Sequence, residues 1–175
     1  RMRYIEPMYE VLVYVYEHFW GGRTSPDREH LGRRLHSAGF ERGEIQQALH
    51  WLDGLDSAAQ GIHLAPAEGQ ATAESVSTPP TWDASPLSRR VYSAHELEQL
   101  GAEGIACIHF LENAGALAPA LREVVIDRAL AAPESPLALD DLKIIIMMVY
   151  WRFDADPDVL VLDELCDDAT RRLAH

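Results

Sequence analysis

Apolar residues fall on nearly every side of the stretch from Met8 to Trp20, "MYEVLVYVYEHFW", so periodicity alone does not separate a helix from a buried strand. The run is long for a strand, whose common length is about five or six residues. The expectation is a buried helix ended by Gly21 and Gly22. The next start is better marked. Ser25 suits a cap, Pro26 the first helical position, where no donor is needed, and Asp27 and Glu29 oppose the positive end of the helix dipole. Leu31, Leu35 and Ala38 then share one side. Gly39 supplies a left-handed stop with Phe40 packing back across it, and a third helix starts near Glu41. Its buried stripe is predicted as Ile45, Ala48, Leu49, Leu52 and Leu55.

After Gly61 the pattern changes. "IHL" and, much later, "RVY" have strand character, and paired they predict a small β-hairpin beside the three helices, a winged-helix-like lobe. Between them lies Ala65 to Ser88, rich in Pro, Ser, Thr, Ala and Gly, which reads as a flexible linker and is long for a tight wing. Trp82 is its one large apolar residue and is expected to fold back onto the body in preference to anchoring a partner.

The second half reads as helical throughout. Ser93 and Glu96 have capping-box spacing and open a helix that breaks or bends at Gly101 and Gly104 before Asn113. Pro119 opens another, with Leu121, Val124, Val125 and Ala129 inward, closed before Pro133. Asp140 and Asp141 start a central apolar helix, and Pro157 a last one whose Leu162, Leu165, Cys166, Ala169 and Leu173 form a stripe. The fold class is therefore mainly α. Residues 1–7 read as a leader or an appended remnant with Met8 as the natural start, 8–64 as an N-terminal three-helix lobe, 65–88 as the linker and 89–175 as a C-terminal helical lobe.

Composition narrows the function classes. With 28 acidic residues against 15 basic ones the formal charge is -13, which repels phosphate backbones and anionic lipid at long range. The longest apolar run, Ile144 to Trp151, is closed by Lys143 and Arg152 and falls short of the roughly twenty residues of a membrane span. No secretory signal pattern opens the chain. Cys107 and Cys166 are the only cysteines, without Cys-x-x-Cys spacing, which fits a reduced cytoplasm. Each reads as a small core residue.

Several blocks, "MYEVLVYVYEHFW", "LHSAGFERGEIQQALHWLDGL", "SPLSRRVYSAHE", "IHFLENAGAL", "REVVIDRALA" and "LDDLKIIIMMVYW", together resemble the Smg family of small bacterial proteins, in the family's order and over most of Met8 to Trp151. The family takes its name from a gene beside one for a DNA-processing protein, which implies an association and no activity. The leader and the length of the Ala65 to Ser88 linker depart from the common pattern. The "AGFERGEIQQALHWL" helix pair is also similar to the three-helix repeats of RecX, a likeness of shape that carries no function.

Chemistry is sparse. The outward positions of the third helix, Glu44, Gln46, Gln47, His50 and Asp53, hold no Lys or Arg to grip phosphates, so a base-reading helix is disfavoured there. The preceding segment is more basic, with Arg23, Arg28, Arg33, Arg34 and Arg42. If all five met phosphates, the log-log salt slope of binding would be about -4.5. Asp154, Asp156 and Asp158 have the spacing of the first calcium-loop ligands, but Val159 and Leu165 stand where the turn glycine and the bidentate glutamate belong. The eight histidines form no pair at metal-binding spacing, and nucleophile-elbow, Walker and dinucleotide patterns are absent. Asp140 and Asp141 read as helix caps rather than paired acids.

The resulting expectation is a non-enzymatic protein-interaction module with no catalytic residue, metal or cofactor. Arg28, Arg33, Arg34, Arg42, Gln46, Gln47 and His50 form its candidate docking face, and the acidic C-terminal region a second one. The partner is an unnamed protein and the oligomeric state is open, with Trp20 and Trp51 readable as dimer face or as core. Direct nucleic-acid binding through the arginine-rich second helix, and an enzyme of unrecognised type, are the alternatives.

Overall fold

The structure, a computed structural model, describes residues 7–19, 27–61, 90–153 and 155. Six α-helices occupy those residues: α1 Pro7–Phe19, α2 Arg28–Ser37, α3 Arg42–Gln60, α4 Ala94–Asn113, α5 Pro119–Leu130 and α6 Leu139–Arg152. Buried side chains from all six form one apolar core, to which helices on both sides of residues 65–88 contribute. The axis of that core is α6, which packs against α1, α3, α4 and α5. Every residue from Asp141 to Tyr150 is buried, as the unbroken "KIIIMMVY" run requires of a helix with neighbours on all sides.

The sequence's start and stop signals are largely realised. At the end of α2 the Gly39 N–H donates to the His36 carbonyl at 3.1 Å and the Phe40 N–H to Leu35 at 3.3 Å, the Schellman pattern, with Gly39 at φ 102°. Phe40 then meets the Tyr14 ring edge-on at 5.5 Å. The α4 capping box is formed: Ser93 Oγ accepts from the Glu96 N–H at 3.2 Å, and the Glu96 carboxylate accepts from the Ser93 N–H at 2.8 Å.

Four expectations are corrected. α2 begins at Arg28 with Asp27 at the cap position, two residues later than a Ser25 cap and Pro26 start would place it. Ala38 lies exposed at the C-cap of α2 and adds nothing to its buried side. The buried face of α3 is Ile45, Ala48, Trp51 and Leu55, with Leu49 and Leu52 half-buried, because α3 is wedged among α1, α2, α5 and α6 and buries more than one stripe. Ala138 holds the N-cap of α6, and Asp140 and Asp141 sit in its first turn, where their charges meet the positive dipole end.

No strand occurs among the described residues; Arg90 to Tyr92 joins no ladder. Ser25, Pro26, Ile62 to Leu64, the 65–88 linker with Trp82, the Asp154, Asp156 and Asp158 series, and the segment from Pro157 with Cys166 lie outside the described residues.

α4 bends at Gly101, whose φ of 65° and ψ of 172° fall in a region essentially closed to side-chain-bearing residues. Beyond the bend, Gly104 is helical and buried, and a Cβ there would approach Leu142 Cδ2 at 3.1 Å. Gly101→Ala is expected to destabilise the fold by about 1–3 kcal/mol. Gly43→Ala, in α3 with nothing within 4 Å of the added carbon, should instead stabilise it by about 0.5–1 kcal/mol. Urea midpoints of the two variants moving in opposite directions test the assignment.

Candidate docking surface

The arginines of α2 leave that helix in three directions. At about 100° per residue, Arg33 lies opposite the buried Leu31 and Leu35, whereas Arg28 and Arg34 flank them on either side. Arg28 Nη2 donates to the Leu49 carbonyl of α3 at 3.5 Å, and its guanidinium pairs with the Asp53 carboxylate. Arg33 bends back along its own helix, with Nε 3.4 Å from the Glu29 carbonyl and Nη2 3.9 Å from the Glu29 carboxylate, and stays 73% exposed. Arg34 lies over the Phe19 ring of α1, 5.5 Å from its centroid. Arg42 is exposed in the first turn of α3, and Gln46, Gln47 and His50 are exposed further along that helix. The surface is thus mixed in charge: Glu29, Glu41 and Asp53 stand among the cations, and the guanidinium groups are not drawn into one row.

Below Arg28 a shallow groove runs between α2, α3 and the end of α6, lined by Leu31, Leu49, Leu52, Leu55, Asp53, Asp56 and Trp151. Its volume of about 30 Å³ leaves room for little more than water, of which one molecule needs about 10–15 Å³ on this measure. Both acids are engaged, Asp53 by Arg28 and Asp56 by Arg152. The groove has no space for a metabolite and no unengaged carboxylate to act as a base.

The densest polar cluster is one that sequence reasoning missed. Arg90, read as part of a strand, holds Glu96 of α4 through two hydrogen bonds of 2.7 and 3.1 Å, and Glu123 of α5 through two more of 2.7 and 3.0 Å. Arg122 extends the set, donating to Glu123 at 2.9 Å and to Glu112 at 2.5 Å. Side-chain exposures of 19% for Arg90, 13% for Glu96 and 17% for Arg122 mark a semi-buried network rather than a loose surface array. Its charges move the local equilibria: the Arg90 guanidinium and the Ser93 N–H hold the Glu96 carboxyl at about 2, and the carboxylates keep Arg90 protonated well above its ordinary range. Burial raises the pKa of Tyr92, whose ring lies 4.8 Å from the Arg90 guanidinium and 5.8 Å from the His109 imidazole ring. Both arginines are matched by carboxylates, so the arrangement clamps residues 90–92 to α4 and α5. The capping box was the only local sign of it, since Arg90 and Glu123 are 33 residues apart.

Among the described residues no three His, Cys, Asp or Glu side chains are placed to hold a metal ion, and no helix is long and apolar enough to cross a membrane. Trp51 is core, 3% exposed, and Cys107 is half-buried on α4.

Among the described residues, a helical core with a mixed-charge outer face defines the chain by its fold. Consistent with that, residues 8–175 match the family described as "Protein of unknown function (DUF494)". The chain belongs to this family and is a member of the Smg group. It is 46% identical to the Protein Smg homolog of Leptothrix cholodnii and 45% identical to that of Methylibium petroleiphilum, each over 96% of this chain and 100% of the relative. The Protein Smg homolog of Bordetella pertussis is 41% identical over the same shares. No solved structure matches the chain.

Proposed function

We propose that the chain is a non-enzymatic protein-interaction module of the cytoplasm, an accessory to DNA or RNA processing, docking through the α2–α3 face that carries Arg28, Arg33, Arg34, Arg42, Gln46, Gln47 and His50. One observation carries the reading: Arg28 is folded onto Asp53 and the Leu49 carbonyl, so a cation of that face is engaged within the protein. A phosphate backbone needs several cations on one line, each releasing a counterion. Here the remaining arginines diverge and alternate with carboxylates, a pattern that complements another mixed-charge protein surface and sets orientation there. The net charge of -13 adds long-range repulsion of nucleic acid. The enzyme alternative is disfavoured because the groove beside this face is too small for a substrate.

The test is affinity purification from native cells at low salt, with and without nuclease, using the wild-type chain and the Arg33→Glu/Arg42→Glu variant. Both positions are exposed, so the variant should fold normally. A protein partner that survives nuclease and binds the variant about tenfold more weakly is expected, two exposed charge pairs being worth about 1 kcal/mol or less each. Recovery of nucleic acid alone, with a salt-sensitive shift of a labelled duplex or hairpin RNA that the variant loses, would replace this reading with direct nucleic-acid binding.

A further inference from the structure

Beyond the bend at Gly101, α4 turns an apolar side to solvent. Its exposed residues there are Ala102, Glu103, Ala106, Phe110 and Asn113, with one charge among them. At about 100° per residue they share an arc of about 100°. A solvated helix face is ordinarily polar, as the exposed side of α2 is, with Arg28, Glu29, His30, Arg33, Arg34 and His36. Here Phe110 stands 58% exposed, one turn from the small Ala106. Val91, 88% exposed, is next to Tyr92, whose ring meets the His109 ring edge-on at 5.8 Å, and so borders the same side. Within the fold α4 packs mainly on α5 and α6, and this side faces neither.

We propose that this face binds a second copy of the chain, in an antiparallel α4–α4 pair about a two-fold axis at Ala106. The pattern is self-complementary, as an isologous contact requires. In such a pair, a position a given distance after Ala106 stands level with the position the same distance before it in the other copy. Phe110 of one copy then comes level with Ala102 of the other, a large ring against a small side chain. The alanines at the axis let the two helices approach closely, since the contact side chains set the distance between axes. His109, its side chain 44% exposed, comes level with Glu103 of the other copy. The one acid of the face is thus matched by an imidazole on each side of the axis, and no like charges are brought level. An unrelated partner would have to supply both matches, whereas the second copy supplies them from the same residues.

Sedimentation equilibrium of the full-length chain over a concentration series tests this. It is run at physiological ionic strength, where screening over about 8 Å limits the repulsion between two chains of formal charge -13. A dimer is expected. Ala106→Arg, which sets an unpaired charge on the axis, should weaken it by at least about a hundredfold. Phe110→Ala should weaken it by about thirtyfold, the scale of an aromatic anchor. Both positions are exposed, so the urea midpoints of the variants should stay near that of wild type. Disulfides formed in a Cys107→Ser/Cys166→Ser background read the register. Ala106→Cys should cross-link to itself, and Phe110→Cys chains to Ala102→Cys chains, while Ser37→Cys on α2 should not cross-link. A chain that stays monomeric throughout, a dimer that withstands Ala106→Arg, or cross-linking as ready at Ser37→Cys as at Ala106→Cys overturns the proposal.

Discussion

Trp51→Ala is expected to cost about 3–5 kcal/mol of stability, near the top of the range for a single core truncation. The indole is 3% exposed between α3 and α5, and it does more than fill space. A helix leaves its last four carbonyls without partners in its own backbone. In α5 the Arg128 carbonyl is one of these, and Trp51 Nε1 donates to it at 3.2 Å. Arg128 answers, its Nη1 donating to the Trp51 carbonyl at 3.3 Å with the guanidinium 6.0 Å from the ring centroid. That return contact exists because residue 54 is glycine: a Cβ at Gly54 would run into the Arg128 guanidinium. Trp51→Phe separates the terms. It keeps most of the apolar area but strips the donor from a carbonyl shielded from water, so about 1–3 kcal/mol should be lost. Urea unfolding of both variants, with unchanged slopes, checks the pair. Equal losses from Phe and Ala would mean that the hydrogen bond dominates, and a negligible loss from Phe would mean that the carbonyl finds water.

The features of this fold that were legible in the sequence are those whose causes lie within a few residues. The glycine stop of α2, the capping box of α4 and the bend at Gly101 are written in neighbours, and each was readable before any tertiary contact was known. Outwardness was readable too: Gln46, Gln47 and His50 sit opposite the apolar side of α3 and are exposed. What failed was the width of that apolar side. A single stripe presumes one neighbour, and α3 has four, so Trp51 turned inward at a position the stripe left out. The arginines failed for a related reason. Their charge was visible, but the Asp53 that engages Arg28 belongs to the next helix, 25 residues on, and only the packing angle of the pair decides whether the two meet. Arg90 shows the limit most sharply. Its two carboxylate partners lie on different helices, and a strand-like tripeptide was the local appearance of what is a tertiary clamp.

That clamp makes acid stability depend on Arg90. The Glu96 carboxyl is held at about 2 against an ordinary value of 4.5, first by the hydrogen bonds from Arg90 and next by the Ser93 N–H. At about 1.4 kcal/mol per pH unit the depression corresponds to roughly 3 kcal/mol of favourable interaction. Solvent reaching the Glu123 side, which is 46% exposed, brings the share carried by Arg90 to about 2 kcal/mol. The sign follows from the direction of the depression. A carboxylate whose pKa is lower in the folded than in the unfolded chain contributes fully above the unfolded value, and the contribution fades as pH falls from about 4.5 towards 2. Arg90→Ala should therefore be less stable than wild type by about 2 kcal/mol at neutral pH, with the difference shrinking steadily below pH 4.5. Arg90→Lys should recover only part of it, because an ammonium cannot fork to Glu96 and Glu123 together. Urea titrations at a series of pH values give the result. A gap between wild type and Arg90→Ala that stays constant down to pH 3 would show that the lost term is packing against Tyr92 rather than charge, and the clamp would then be a hydrophobic contact with incidental ion pairs.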